Sequence, residues 1–316
     1  MAVAEETQYQ LGMGYELNDA FTVGGYFSTE YGSGKEINFF GVDDLAFLVY
    51  GENDANFSYF FELEWSELYK IDYENNEEEQ HTRPFIERLY GDYKYSDYLS
   101  VRFGKQITPI GYWNLQPINV LRETTSNPIL SRRMFPKFLT GIDIYGYTPI
   151  DENLTYHLYL QGTKDLDNER INIDADRHVG LSLEKDFQNG WKLGTSLGNF
   201  REVNKDKTRY FQFNARFDQY RYSFITESNF SRKDPDIGKV ERIVDIYVQT
   251  EYRFRPKHTL IGRVEYFHND ELGLKERIGV LAYGYRIRYP ISLKIEYQLH
   301  ADSNDNQLLT SFSVLF

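Results

Sequence analysis

An alternation of apolar and polar residues recurs along most of the chain, and it limits the possible folds more than any other feature. In residues 57–66 the odd-numbered positions are all aromatic or Leu, whereas the even-numbered positions include Glu62 and Glu64. Successive side chains of a β-strand point to opposite faces, so such a segment has one apolar face and one face that needs water. The same design recurs between turn signals such as Asn189 and Gly190. The sequence therefore predicts an all-β protein built of antiparallel hairpins.

Residues 306–316 repeat this design and end on Phe316. Leu308, Phe312 and Phe316 fall on one face of the extended chain, and Ser311 falls on the other. A final strand of this kind with a terminal aromatic residue resembles the closing strand of Gram-negative outer-membrane β-barrels, where that pattern is the signal recognised for insertion. The resemblance implies a transmembrane barrel, and a soluble β-sandwich is the alternative.

Composition separates the possible classes of membrane protein. At 316 residues the chain can form one large closed β structure. The mean hydropathy is −0.58 and no apolar run approaches the roughly 20 residues of a spanning helix, which excludes a helical membrane protein but not a barrel. The 27 Tyr and 23 Phe residues are typical of the aromatic girdles of a transmembrane barrel.

The absence of Cys and the acidic charge balance exclude several chemistries. Without Cys, disulfides, thiolate catalysis and most structural zinc sites are ruled out, and we expect neither a cofactor nor a metal. The formal net charge of −13 argues against a nucleic-acid partner, which would favour a basic surface. Solvated acidic loops are sufficient to explain this charge.

The connections between the predicted strands fall into two alternating classes. Short turns such as residues 189–190 and 289–290 alternate with longer polar stretches such as residues 165–176 and 269–276. Outer-membrane barrels have short periplasmic turns and long outer loops. We count about seventeen strand candidates, and because bacterial barrels have even strand numbers, we expect sixteen strands beginning near Thr22.

Two parts of the chain depart from a regular barrel of residues 21–316. Residues 1–20 are expected to form an N-terminal segment or an extra strand that enters the lumen or pairs at the seam. Residues 105–140 lack sustained alternation and contain four Pro residues, yet they are too apolar to be disordered. A barrel of sixteen strands leaves an aqueous passage, so we expect this loop to fold inward and constrict it.

If the apolar faces of the strands contact lipid, charged side chains of both signs line the lumen. Arginines near the loop would either favour anions through forked contacts or merely pin the loop to wall carboxylates, whereas an acidic lumen would favour cations. The residues leave this selectivity open. The pore constriction is expected to involve Arg122, Arg132, Arg133, Lys137, Glu62, Glu64 and Arg102. The lumen lining is expected to include Arg216, Glu227, Asp245, Glu251, Arg253, Arg263, Glu265, Arg286, Arg288, Lys294 and Glu296.

Short motifs around the irregular loop resemble those of phosphate-selective porins and their relatives. They are residues 102–106 (RFGKQ), 108–111 (TPIG), 132–136 (RRMFP) and 141–146 (GIDIYG). The resemblance implies a sixteen-stranded passive diffusion channel of the bacterial outer membrane, assembled as a homotrimer and surrounded by lipid and lipopolysaccharide. The lysine-rich ladder of that family is not evident here, so a preference for phosphate is not carried over.

We therefore predict a porin that lets small hydrophilic or charged solutes diffuse through a water-filled channel, and not an enzyme. One alternative is a barrel sealed by the loop that serves as a surface adhesin or scaffold. Another is an outer-membrane barrel hydrolase. The six His residues occur in no recognisable nucleophile motif, so no catalytic residue is assigned.

Overall fold

The computed structural model describes residues 9–18, 20–53, 56–167, 172–303 and 305–316. Residues 1–8 of the predicted N-terminal segment lie outside these ranges. No helix within the described ranges has the length and apolar character needed to span a bilayer.

The chain is almost entirely β-strand. The strands of the first half are β1 (Tyr9–Gln10), β2 (Gly14–Asn18), β3 (Phe21–Gly34), β4 (Asn38–Asn53), β5 (Phe57–Asp72), β6 (Glu77–Gln80), β7 (Phe85–Ser96), β8 (Leu99–Ile107), β9 (Phe138–Thr148) and β10 (Asp151–Gln161). Those of the second half are β11 (Ala175–Asp186), β12 (Trp191–Glu202), β13 (Lys207–Gln219), β14 (Tyr222–Asp234), β15 (Glu241–Arg255), β16 (His258–Asn269), β17 (Leu274–Arg288), β18 (Ile291–His300) and β19 (Gln307–Leu315).

These strands form a closed antiparallel barrel of sixteen strands, which confirms the predicted fold class. Each strand from β7 onward pairs with the next, and β19 closes the barrel by pairing with β3 from Tyr26 to Gly34. The short β6 pairs with the end of β5, on the same side as β7, and therefore adds no position to the barrel. The short β2 pairs with the first residues of β3, just beyond the point where β19 ends.

Burial in this barrel is the reverse of burial in a soluble protein. Leu281 and Val264 on the outer face are 67% and 61% exposed, whereas Gln212 and Glu296 on the inner face are fully buried. Apolar side chains therefore face outward, toward the hydrocarbon of a membrane, and polar ones face the interior.

The two ends of the barrel differ in the length of their connections. Short turns, among them residues 220–221, 256–257 and 289–290, join the strands at one end, which we call the short-turn end. Longer connections join them at the other, which we call the long-loop end, and the longest comprises residues 108–137 between β8 and β9. This last segment, which we call the inner loop, contains a 3₁₀ turn (Asn119–Leu121) and a single turn of helix, α1 (Leu130–Arg133).

The inner loop is shorter than the irregular stretch that the sequence indicated. Residues 105–107 and 138–140 belong to β8 and β9, where Lys105 pairs with Thr140 and Ile107 pairs with Phe138. The apolar alternation fails there, next to Gly104 with its positive φ of 122°, yet the backbone pairing continues past this glycine. The alternation of apolar side chains therefore stops before the backbone pairing of β8 does.

The apolar core of the protein lies inside the barrel. Ile110, Leu130 and Phe135 of the inner loop are buried against inward-facing residues that include Tyr159 and Tyr247. The loop thus buries the apolar side chains that made it too hydrophobic to be disordered.

A smaller apolar cluster lies on the opposite wall. There Ile118 and Val120 of the inner loop join Tyr26, Ala46 and Leu48 of β3 and β4. The inner loop therefore touches both sides of the barrel interior.

Candidate functional site

Glu227 on β14 holds the beginning of the inner loop. Its carboxylate accepts hydrogen bonds from the backbone N–H groups of Tyr112 and Trp113 at 3.1 and 2.8 Å. Gln212 Nε2 and the Tyr247 hydroxyl donate to the same carboxylate, each at 2.6 Å. All four donors converge on one fully buried charge, which makes this contact costly to break.

A second attachment comes from β16. Arg263 pairs with Glu265 at 2.6 Å, and its guanidinium also donates to Thr124 Oγ1 at 2.9 Å and Ser126 Oγ at 2.6 Å. Glu265 accepts a hydrogen bond from Ile129 N at 3.0 Å. Both charged side chains are buried, and their opposite charges balance each other. The hydrogen-bonding groups that the ion pair does not use bind the loop.

The neighbouring strands β17 and β18 complete the attachment. Lys294 Nζ donates to the carbonyl oxygen of Asn119 at 2.5 Å, and Glu296 accepts from the backbone N–H groups of Thr125 and Ser126 at 2.9 and 3.2 Å. Arg286 on β17 also reaches the loop, donating to Val120 O at 2.9 Å and Glu123 Oε1 at 2.7 Å. The inner loop is thus fixed along the side of the barrel formed by β13–β18.

A cavity of about 910 Å³ remains beside the inner loop and extends to the long-loop end, where residues of β16–β19 also line it. Asp44, Glu64 and Glu87 line it from the wall strands β4, β5 and β7, whereas Arg122 and Lys137 line it from the loop. Opposite charges therefore face each other where the loop comes nearest to this wall.

The Tyr26 hydroxyl lies at the centre of a buried carboxylate group beside this cavity. Its oxygen is 2.8 Å from Glu62 Oε1, 2.6 Å from Glu64 Oε2 and 3.2 Å from Glu87 Oε2. The three carboxylates offer oxygens within 4.8 Å of one another, which is a donor set that suits a hard cation.

Protein cations already contact this group. Arg88 forms an ion pair with Glu62, and Lys137 Nζ lies 3.4 Å from Glu87. Because Arg88 and Lys137 supply the positive charge next to these carboxylates, we assign no metal to the group.

The predicted constriction residues are only partly brought together. Glu64, Arg122 and Lys137 line the cavity, and Glu62 lies next to Glu64. Arg102 is apart from them, in the half of β8 nearer the short-turn end, where it pairs with Asp92 at 2.6 Å. The side chains of Arg132 and Arg133 lie outside the part of the structure that is described.

The predicted lumen residues occupy three settings on β13–β18. Glu227, Arg263, Glu265, Arg286, Lys294 and Glu296 contact the inner loop. Arg216, Glu251 and Arg253 form ion pairs with one another or with Asp218 nearer the short-turn end. Asp245 is fully buried on β15, and Arg288 is exposed as the last residue of β17.

Several residues of this site were not selected from the sequence, among them Tyr26, Asp43, Asp44, Glu67 and Glu87. Strict alternation assigns only one of two consecutive strand residues to the lumen, and Asp43 directly precedes Asp44 just as Glu87 precedes Arg88. Two adjacent charges in a membrane strand are themselves a signal of a β-bulge, since otherwise one charge would face lipid.

Comparison with known proteins agrees with this architecture. The family model described as "Putative beta-barrel porin-2, OmpL-like" matches residues 26–303. A comparison with curated protein sequences finds no match.

Several solved structures are similar in fold. OmpT of Vibrio cholerae lacking its loop L8 superposes with a TM-score of 0.69 at 12% identity, covering 94% of this chain and 100% of that one. OmpF of Salmonella typhi in complex with daunomycin gives 0.68 at 12% identity, covering 94% and 97% of the two chains. The anion-selective porin of Comamonas acidovorans gives 0.65 at 11% identity, covering 94% and 99%.

At such low identities these likenesses establish the fold alone, whereas the family match spans most of the barrel. The chain therefore belongs to the OmpL-like family of β-barrel porins, channel proteins of the bacterial outer membrane.

Proposed function

We propose that the channel admits small hydrophilic or charged solutes by passive diffusion and that the inner loop sets its narrowest cross-section. One observation carries this proposal: the loop is fixed by buried hydrogen bonds to β13–β18, while a cavity of about 910 Å³ remains beside it in the lumen. A barrel of sixteen strands is too wide for wall side chains to fill. A rigidly attached loop is therefore what limits the size of a passing solute.

Planar-bilayer recording and liposome swelling test the proposal together. We expect ohmic single-channel steps, and swelling rates that fall steeply through a series of neutral sugars of increasing size, because the fixed loop limits the cross-section. Neutral sugars separate size from charge. Conductance steps with swelling rates independent of sugar size would place the limiting cross-section elsewhere than at the inner loop.

A sealed barrel that acts as a surface scaffold is the second candidate. It is favoured by the contact of Ile118 and Val120 with Tyr26, Ala46 and Leu48, which carries the inner loop across the lumen. Absence of conductance from folded protein in the same bilayer recordings would support the scaffold function and contradict the channel function.

A hydrolase receives less support from the histidines that face the lumen. His157 contacts Asp143 at 2.8 Å and stacks on Tyr145, and His178 contacts the Tyr210 hydroxyl at 2.8 Å. Ser182 on β11 lies opposite His157, but its hydroxyl donates to Pro109 O at 2.6 Å, and the described contacts include no serine hydroxyl hydrogen-bonded to either imidazole. The porin family likewise favours a channel over an enzyme.

We also propose that the barrel assembles as a homotrimer within outer-membrane lipid and lipopolysaccharide. The apolar outer face supports the lipid contact, and OmpT of Vibrio cholerae, which shares this fold, has been described in a trimer form. Native mass spectrometry of the detergent-solubilised protein is expected to give three times the mass of the 37.4 kDa chain. The mass of a single chain in every mild detergent would contradict the proposed trimer but would not affect the proposed channel function.

A further inference from the structure

Three neighbouring strands interrupt their pairing with β-bulges beside the cavity. On β4 the two residues between Val42 and Leu45 lie opposite a single residue of β3, Ser28. On β5 two residues between Ser66 and Tyr69 lie opposite one residue of β4. On β7 one additional residue lies between Ile86 and Arg88.

The bulge on β4 turns two consecutive carboxylates toward the interior. Asp43 and Asp44 both line the cavity, although regular alternation would send one of them to the outer face. Ser28 of β3 holds this geometry, since its hydroxyl accepts from Asp44 N at 3.2 Å and donates to Asp44 Oδ2 at 3.1 Å. The bulge is thus a supported feature of the wall.

The other two bulges add one carboxylate each. Glu67 on β5 adopts a positive φ of 49°, which is unfavourable for a residue with a side chain, and it lines the cavity. Glu87 is the additional residue of β7, and it lines the same cavity. Each bulge therefore places acidic charge on the passage side of the same three adjacent strands.

The cations that line the cavity do not balance this charge. Carboxylates outnumber lysines and arginines among its lining residues by nine to five. One of those five cations, Arg263, is only 1% exposed and pairs with Glu265, so this pair adds no net charge. The group of Glu62, Glu64 and Glu87 holds three carboxylates next to two cations, since Arg88 pairs with Glu62 and Lys137 lies 3.4 Å from Glu87.

We propose that these bulges give the channel a preference for cations, with Asp43, Glu67 and Glu87 as its determinants. The inference rests on the proposed channel function and names the class of solute that the passage favours. Acidic groups concentrated on one wall of a narrow, low-dielectric passage focus a negative potential on it and raise the local concentration of cations. Arg122 and Lys137 of the inner loop line the same cavity and offset part of this charge.

Reversal potentials in a KCl gradient test the assignment. The triple variant Asp43→Asn, Glu67→Gln and Glu87→Gln is expected to lower the ratio of K⁺ to Cl⁻ permeability by about fivefold or more, because one charge about 4 Å from an ion in water changes its local concentration by about that factor. The effect should shrink at high salt, where screening shortens the reach of the charges.

The matched control neutralises the exposed glutamates of β6 as Glu77→Gln, Glu78→Gln and Glu79→Gln, which changes the net charge equally at residues that do not line the cavity. We expect it to retain the wild-type permeability ratio. An equal fall in both variants, or an unchanged ratio in the cavity variant, would overturn the inference while leaving the channel in place. Absence of conductance in folded wild-type protein would instead overturn the proposed function and this inference with it.

The single variant Asp43→Lys covers the case in which the triple variant does not fold. It leaves Glu67 and Glu87 in place and reverses one charge at the β4 bulge. We expect Asp43→Lys to shift the reversal potential toward the equilibrium potential of chloride. A permeability ratio equal to that of the wild type would count against the assignment.

Discussion

Replacing the inner loop with a two-residue Asn-Gly turn is expected to raise single-channel conductance several-fold and to abolish discrimination among small sugars. Ile107 and Phe138 are already paired across β8 and β9, so a tight hairpin can join the strands there. The side chains that held the loop would then face a water-filled lumen, where Glu227, Lys294 and Glu296 can be hydrated. Conductance in planar bilayers and swelling of sugar-loaded liposomes measure the change.

Shortening residues 235–240, which connect β14 and β15 at the long-loop end, is the matched control. This connection lies at the same end of the barrel as the inner loop, and we expect its shortening to leave the conductance unchanged. Unaltered conductance after deletion of the inner loop itself would show that the passage is limited elsewhere.

The second large effect is expected from Gly111→Val, which should release the beginning of the inner loop from the wall. Gly111 has a φ of 67°, and a Cβ placed there would lie 2.0 Å from Glu227 Oε2 and 2.5 Å from Gln212 Nε2. Displacing Glu227 removes the acceptor of two loop N–H groups, at a cost of about 3 kcal/mol. The population of the released loop should therefore rise about a hundredfold.

Trypsin digestion of the folded barrel in detergent reports this release. The inner loop contains Arg122, which is buried while the loop is attached, so cleavage after Arg122, detected by fragment mass, requires opening. Glu227→Ala should accelerate cleavage in the same way. Gly162→Val is the control, since nothing lies within 4 Å of a Cβ there. Equal cleavage rates in Gly111→Val and in this control would contradict the attachment.

The alternation of the strands was sufficient to predict the barrel. A side-chain period of two fixes which residues share a face, and the recurrence of long and short connections fixes their antiparallel order. The count of sixteen strands followed from the even strand number of bacterial barrels, and the pairing of β19 with β3 confirms it. The apolar content of residues 108–137 likewise required burial, and the only interior of a barrel is its lumen.

The wall residues that bind the inner loop could not be predicted from strand alternation. Glu227 holds Tyr112 across 115 positions of sequence, and Glu296 holds Thr125 across 171. The alternation along the strands selected Glu227 and Glu296 as inward-facing. It carries no information about which of many inward-facing charges contacts a given loop residue. Arg102 illustrates the limit, because it has the expected charge yet lies on the wrong half of its strand to face the loop.

The sequence by itself determined the sidedness of the strands whose apolar residues alternate, because that pattern repeats with the period of the β-strand. Only the tertiary structure decided where that period breaks and what the breaks accomplish. A β-bulge is set by the register between two paired strands, so Asp43, Glu67 and Glu87 reach the passage through pairings that no single segment specifies.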